Sequence, residues 1–123
     1  GGLPLHVYGT GNQTRTFCYI TDAIVGFLSV IIKGVAGEAY NIGNPDPEIS
    51  MVELVQTIEK ISAQKVEYDV VEYPDSYPAD EPNRRAPDIR KARIQLDFNP
   101  TVGIDEGLKR FLDWSDTTYT GVQ

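Results

Sequence analysis

Pro4-Leu5-His6-Val7-Tyr8-Gly9-Thr10-Gly11-Asn12-Gln13-Thr14-Arg15-Thr16-Phe17, followed after Cys18 by Tyr19-Ile20-Thr21-Asp22, is the stretch whose reading decides the fold. It opens on a β-rich run, Leu5 to Tyr8, and resumes with a second, Thr16 to Ile20. Gly9 and Gly11 lie between them. A hairpin turn accounts for both glycines, and so does a loop shaped to approach a ligand. The stretch is not a dinucleotide fingerprint, which needs a third glycine and a helix opening inside the turn.

Arg15 closes this run, and Arg85 lies about seventy residues on in Pro82-Asn83-Arg84-Arg85-Ala86-Pro87-Asp88. Two guanidinium groups on loops of an acidic chain suit a clamp for a doubly charged diphosphate. The planar fork meets phosphate oxygens bidentately and keeps its charge at every relevant pH. Taken singly, each arginine is more often a surface ion-pair partner of little energetic value. Asp80, Glu81 and Asp88 are near enough in sequence to neutralise Arg85. Asn41, in Tyr40-Asn41-Ile42-Gly43-Asn44-Pro45, is ordinarily a strand-end residue bonding its own turn. His6 is expected to pack within a strand, Cys18 to be an inert core thiol, and Phe111 and Trp114 to be core.

The 123 residues make one domain at most, with 41% hydrophobic and 24% charged residues, an ordinary globular composition. A formal net charge of −7 argues against nucleic acid and against an anionic membrane face as partners. No apolar run is long enough to span a bilayer, and no signal peptide opens the sequence. One cysteine excludes an internal disulfide and fits a cytoplasmic setting, and one histidine excludes a cluster of histidine metal ligands.

Charge is unevenly spread. No basic residue occurs between Lys65 and Arg84, where Glu67, Asp69, Glu72, Asp75, Asp80 and Glu81 accumulate; five of the eleven basic residues then fall between Arg84 and Arg93. The acidic block also carries Pro74, Pro78, Pro82, Tyr68, Tyr73 and Tyr77, the composition of an ordered, irregular, functional loop.

Periodicity predicts a helix from Asp22 to about Lys33, apolar nearly all round and therefore buried. Ser50 with Glu53 three residues on predicts a capped helix start, followed by the stripe Met51, Leu54, Val55, Ile58 and Ile61. Further helices are expected near Ile104 to Trp114 and from Asp88 to Leu96, the latter with Pro87 pre-set for its first turn. Besides the two opening runs, strands are expected at Glu38 to Ile42 and Lys65 to Val71. The fold class is thus small, mixed α/β.

The opening string, Tyr40-Asn41-Ile42-Gly43-Asn44-Pro45, and Arg85-Ala86-Pro87-Asp88-Ile89-Arg90-Lys91-Ala92 ahead of Leu96-Asp97-Phe98-Asn99-Pro100 together resemble the C-terminal portion of extended short-chain dehydrogenases. These are the NAD-dependent nucleotide-sugar epimerases, dehydratases and decarboxylases. The likeness is greatest to UDP-glucuronate decarboxylases, then dTDP-glucose dehydratases, and it spans nearly the whole chain. It implies that the segment from Leu5 and His6 through Tyr8 and Gln13 wraps the nucleotide, with strand backbone groups on the base and Arg15 on the diphosphate. It implies further that Asn41 lies beside the sugar nucleotide, that Arg85 reaches the diphosphate or sugar, and that Tyr77 contacts substrate. Arg84 stands as an alternate to Arg85.

The chain departs from such enzymes in lacking both the Gly-x-x-Gly-x-x-Gly turn that holds NAD and the Tyr-x-x-x-Lys pair; none of its seven tyrosines has a lysine four residues on. The resemblance therefore implies a substrate-binding portion, residues 1 to 123, without the N-terminal Rossmann domain. NAD would be bound by that missing domain, catalytic residues would lie elsewhere, and the chain alone would be inactive. The parent would be a lyase or isomerase acting on a UDP- or dTDP-sugar through C4 oxidation, as a homodimer. The isolated portion is expected to self-associate. Rival readings are a free-standing nucleotide-binding or adaptor module and a purely structural oligomerisation domain.

Overall fold

In the computed structural model, which describes residues 4–77 and 81–119, strand β1 (Leu5–Tyr8) forms in the expected place. Its partner is β4 (Tyr68–Val71), in parallel register from Leu5↔Tyr68 to Tyr8↔Val71. Backbone bonds from Leu5 N–H to the Glu67 carbonyl (2.9 Å) and from Gly9 N–H to the Val71 carbonyl (2.8 Å) extend the ladder at both ends. Val7 alone on β1 is buried, so its side chain anchors the strand. The expected strand Lys65 to Val71 thus shortens to its β-branched end.

A second, three-stranded sheet has the order β3–β2–β5. Its central strand β2 (Thr14–Arg15) is antiparallel to β3 (Ile49–Ser50) and parallel to β5 (Arg84–Arg85). The hairpin reading of Gly9 and Gly11 is therefore overturned, since β1 and β2 belong to different sheets. The glycines let the chain cross from one sheet to the other.

Helix α2 (Met51–Ser62) begins as its sequence dictates. Glu53 N–H donates to Ser50 Oγ (3.1 Å), and Ser50 N–H donates to Glu53 Oε2 (2.7 Å), satisfying two backbone donors reciprocally. These strands and α2, with residues from Leu108 onward, make one of the two units into which the chain divides.

The other unit takes Thr16–Glu48 and Ala86–Gly107. Its core is Ile89, Ala92, Leu96 and Phe98, with Val30, Tyr40 and Ile42 packed against it. Helix α1 (Ile20–Lys33) meets this core through Gly26, where an added Cβ would collide with Ile42 and come 3.0 Å from Phe98. Buried Asp22 accepts from Val102 N–H (2.8 Å), Thr101 N–H (3.0 Å) and the Thr101 hydroxyl (3.2 Å).

Several expectations are corrected here. α1 is not buried: Phe27 is 61% exposed, Ile31 79% and Ile32 78%, because only the stripe through Asp22, Gly26 and Val30 meets the core. Residues 16–19 form no strand and lead directly into α1. Glu38 to Ile42 forms none either, since its unit offers no partner strand among the described residues. Side chains hold that segment instead. Lys91 Nζ donates to Glu38 (2.5 Å) and to the Ala39 carbonyl (2.8 Å), and lies 4.6 Å from the Tyr40 ring centre.

α3 (Arg90–Leu96) starts two residues later than expected, leaving Pro87 outside it. Asp88 accepts from Arg90 N–H (3.0 Å) and so acts ahead of the helix rather than within it. α4 (Ile104–Tyr119) runs five residues past its expected end. Phe111 and Trp114 are not core: they are 54% and 50% exposed, and their rings pair at 5.8 Å. Half-buried Ile104, Leu108 and Leu112, four residues apart, form the inward stripe instead.

Candidate functional site

A cleft of about 280 Å³ opens in the sheet-bearing unit. From α2, the stripe Met51, Leu54, Val55 and Ile58 supplies apolar lining; β1 supplies Leu5, His6, Val7 and Tyr8. Tyr73, Tyr77, Gln13, Arg15 and Glu81 complete it.

Three tyrosine rings gather on this lining. Tyr8 stacks on Tyr73 with centroids 5.9 Å apart, and Tyr73 lies 4.6 Å from Tyr77. Gln13 Nε2 donates to the Tyr8 carbonyl (2.8 Å) and to the Tyr73 hydroxyl (3.2 Å), tying the turn to the aromatic group. Gly9 permits this arrangement. Its φ of +69° disfavours other residues, and a Cβ there would lie 2.6 Å from the Tyr73 ring. Such a surface can stack a flat π-bearing group while α2 covers it with aliphatic side chains.

Arg15 brings charge to the cleft. Its guanidinium donates to the Thr14 carbonyl (2.7 Å) and forms an ion pair with Glu81. Both side chains are largely withdrawn from solvent, 16% and 20% exposed, so this is not the solvated surface pair that sequence alone suggests for an isolated arginine. Arg85 does not line the cleft, but it is the direct strand partner of Arg15 in the β2–β5 ladder. Paired residues project to the same side of a sheet, so two permanent cations share one face.

Leu5, His6, Tyr8, Gln13, Arg15 and Tyr77 therefore line one cleft, with Arg85 the registered neighbour of Arg15. Asn41 belongs to the other unit, where its side-chain amide donates to the Asp88 carbonyl (3.0 Å). Of the acids near Arg85 in sequence, Glu81 engages Arg15 and Asp88 engages Arg90, while Asp80 lies outside the described residues. Cys18 is half-buried and donates weakly to the Tyr19 carbonyl. Burial, and secondarily the Asp22 carboxylate, push its pKa up, which disfavours the reactive thiolate.

Tyr73, Glu81 and the α2 stripe were not identified from sequence as site residues. The stripe has the same pattern whether it faces a core or a cleft. The signal for Tyr73 was its four-residue spacing from Tyr77; Glu81 had none, being one acid among six. No group of three or more His, Cys, Asp or Glu side chains able to hold a metal occurs among the described residues, and no helix there is long and apolar enough to cross a membrane. The Gly9–Gly11 turn leads into β2 rather than a helix, so it does not form the helix-terminal cradle that a dinucleotide pyrophosphate uses.

Comparison with known proteins gives one pattern. The family model described as NAD dependent epimerase/dehydratase family matches residues 1–43. UDP-glucuronic acid decarboxylase 1 of Danio rerio is 35% identical over 113 residues, 92% of this chain and 26% of the relative. Among solved structures, the UDP-glucuronic acid 4-epimerase of Bacillus cereus in complex with UDP-glucuronic acid and NAD superimposes with a TM-score of 0.83 at 34% identity, over 94% of this chain and 36% of that one. The dTDP-glucose 4,6-dehydratase of Bacillus anthracis in complex with NAD gives 0.82 at 26% identity, over 94% and 35%. The chain spans roughly a quarter to a third of the length of these proteins.

Proposed function

Since the chain is of the NAD-dependent nucleotide-sugar epimerase/dehydratase type in sequence and in fold, we propose that it supplies the nucleotide-diphosphate site of such an enzyme. The mixed α/β fold sets Arg15 in a cleft walled by tyrosines and aliphatic side chains, and that placement carries the reading. The base would lie on the aromatic and aliphatic lining, and the diphosphate would reach Arg15 with Arg85 behind it. Binding energy from these remote groups would orient the sugar for chemistry supplied elsewhere. Asn41 would contact the sugar.

The substrate would be a UDP- or dTDP-sugar, transformed through oxidation at C4. NAD would be held by residues outside this sequence, because the Gly9–Gly11 turn does not fit it. The catalytic residues would lie there too, so this chain alone would bind without turnover. The complete enzyme would be a cytoplasmic homodimer.

Calorimetric titration of UDP into the wild-type chain and into Arg15→Ala tests the reading. A charge-assisted arginine contact contributes about 1.5–3 kcal/mol, so the variant should bind roughly tenfold or more weakly. Equal affinities would exclude Arg15 from the site.

A further inference from the structure

Glu81 poses a problem for any anion that reaches Arg15. The carboxylate lies on the cleft lining and is ion-paired with the guanidinium that the diphosphate would use. Of the terminal nitrogens of Arg15, one donates to the Thr14 carbonyl and the other to Glu81. A phosphate accepting from the Glu81-facing nitrogen would bring its charge within a few ångströms of a carboxylate shielded from water, where like charges repel most strongly.

We propose that Glu81 is a built-in competitor for the ligand: a diphosphate must displace the carboxylate from Arg15, and the exchange sets affinity and selects for charge. This rests on the cleft being the nucleotide-diphosphate site. A neutral or weakly charged ligand gains too little from the guanidinium to displace Glu81. A doubly charged one recovers more, because Arg85, the registered partner of Arg15, adds a second cation on the same sheet face. Glu81 thus discriminates against ligands that fit the apolar part of the cleft but lack the diphosphate.

The test compares UDP and uridine on the wild-type chain and on Glu81→Gln, which keeps the side-chain shape and removes the charge. UDP should bind the variant more tightly by about threefold or more, the range set by partly exposed ion pairs. Uridine should bind both equally. Glu81→Ala, expected to shift UDP in the same direction, guards against a folding defect in one variant. In the wild-type chain, the Glu81 side-chain carboxyl carbon should shift in NMR spectra when UDP is added.

Unchanged or weaker UDP binding in both variants would overturn the proposal and make Glu81 a positioning residue for Arg15; an unmoved carboxyl resonance would overturn it as well. If UDP binding weakens in Arg15→Ala but does not tighten in Glu81→Gln, only the competitor role fails. If UDP does not bind, or binds Arg15→Ala as well as wild type, both it and the nucleotide site fail.

Discussion

Arg15 and Arg85 are direct partners in the parallel β2–β5 ladder, seventy residues apart in sequence and adjacent across one strand gap. Like charges facing each other across a ladder repel, and here Glu81 compensates one of them. Arg84 stands beside Arg85 on the same strand, and successive strand residues project to opposite faces. Arg85→Ala should therefore weaken UDP binding about tenfold. Arg84→Ala should change it by less than about threefold, as a rim charge acting at a distance. Titration of both variants tests whether either arginine contributes to UDP binding.

The turn that carries Arg15 should be intolerant of side chains. Gly11 is buried at φ +72°, and an added Cβ would lie 2.6 Å from Val52 Cγ2 and 3.0 Å from Val7 Cγ1. Backbone strain and collision act together, so Gly11→Ala should cost about 2 kcal/mol in urea unfolding. A loss below half of that would mean the turn relaxes and the crossing between the two sheets is not fixed by this residue.

Local signals were legible in the sequence and long-range pairings were not. The Ser50–Glu53 box is written within four residues and forms as expected. Thr14–Arg15, by contrast, becomes a central strand only because Ile49–Ser50 and Arg84–Arg85 come to its two sides, and no local pattern encodes those partners. The same limit explains α1. An all-round apolar helix implies cover on all sides, but periodicity cannot say whether that cover lies within the chain, and here only one stripe finds it. The site followed this division, with Arg15, Gln13 and Tyr8 legible as one motif and Glu81 visible only once the chain folds back.

Asp22 shows a structural role that its place at a helix start does not reveal. Its carboxylate gathers three hydrogen bonds from Thr101 and Val102 and is only 6% exposed. Asp22→Ala would leave the buried Val102 N–H unsatisfied, at about 1–3 kcal/mol, and would also lose the part-buried bonds from Thr101. The variant should unfold at clearly lower denaturant, and a control at exposed Asp116, Asp116→Ala, should not.

Acid should loosen the chain through a small set of carboxylates. The Arg90 side chain, then its backbone N–H, hold Asp88 down from 3.8 to about 2. The Ser50 backbone N–H, then its hydroxyl, lower Glu53, and Lys91 lowers Glu38 through a hydrogen bond and its charge. A carboxyl whose folded pKa is depressed stabilises the fold above its unfolded value and loses that contribution as pH falls through the folded one. Stability should therefore be level above the ordinary carboxylate range and fall from 4.5 toward 2. Asp88→Asn should flatten the part of that decline between 3.8 and about 2, measured by unfolding at a series of pH values.

The exposed side of α1 predicts how the chain behaves in solution. Ile24, Phe27, Leu28, Ile31 and Ile32 are each about half exposed or more, on a helix of fourteen residues. Apolar surface gathered on one element drives association when nothing covers it. Light scattering across a concentration series should show the isolated chain self-associating, and Ile31→Lys with Ile32→Lys should suppress this without loss of helix content. UDP affinity should be unaffected, because α1 contributes nothing to the cleft lining. A strictly monomeric wild type would mean that these side chains tolerate water, and the helix would then need no cover.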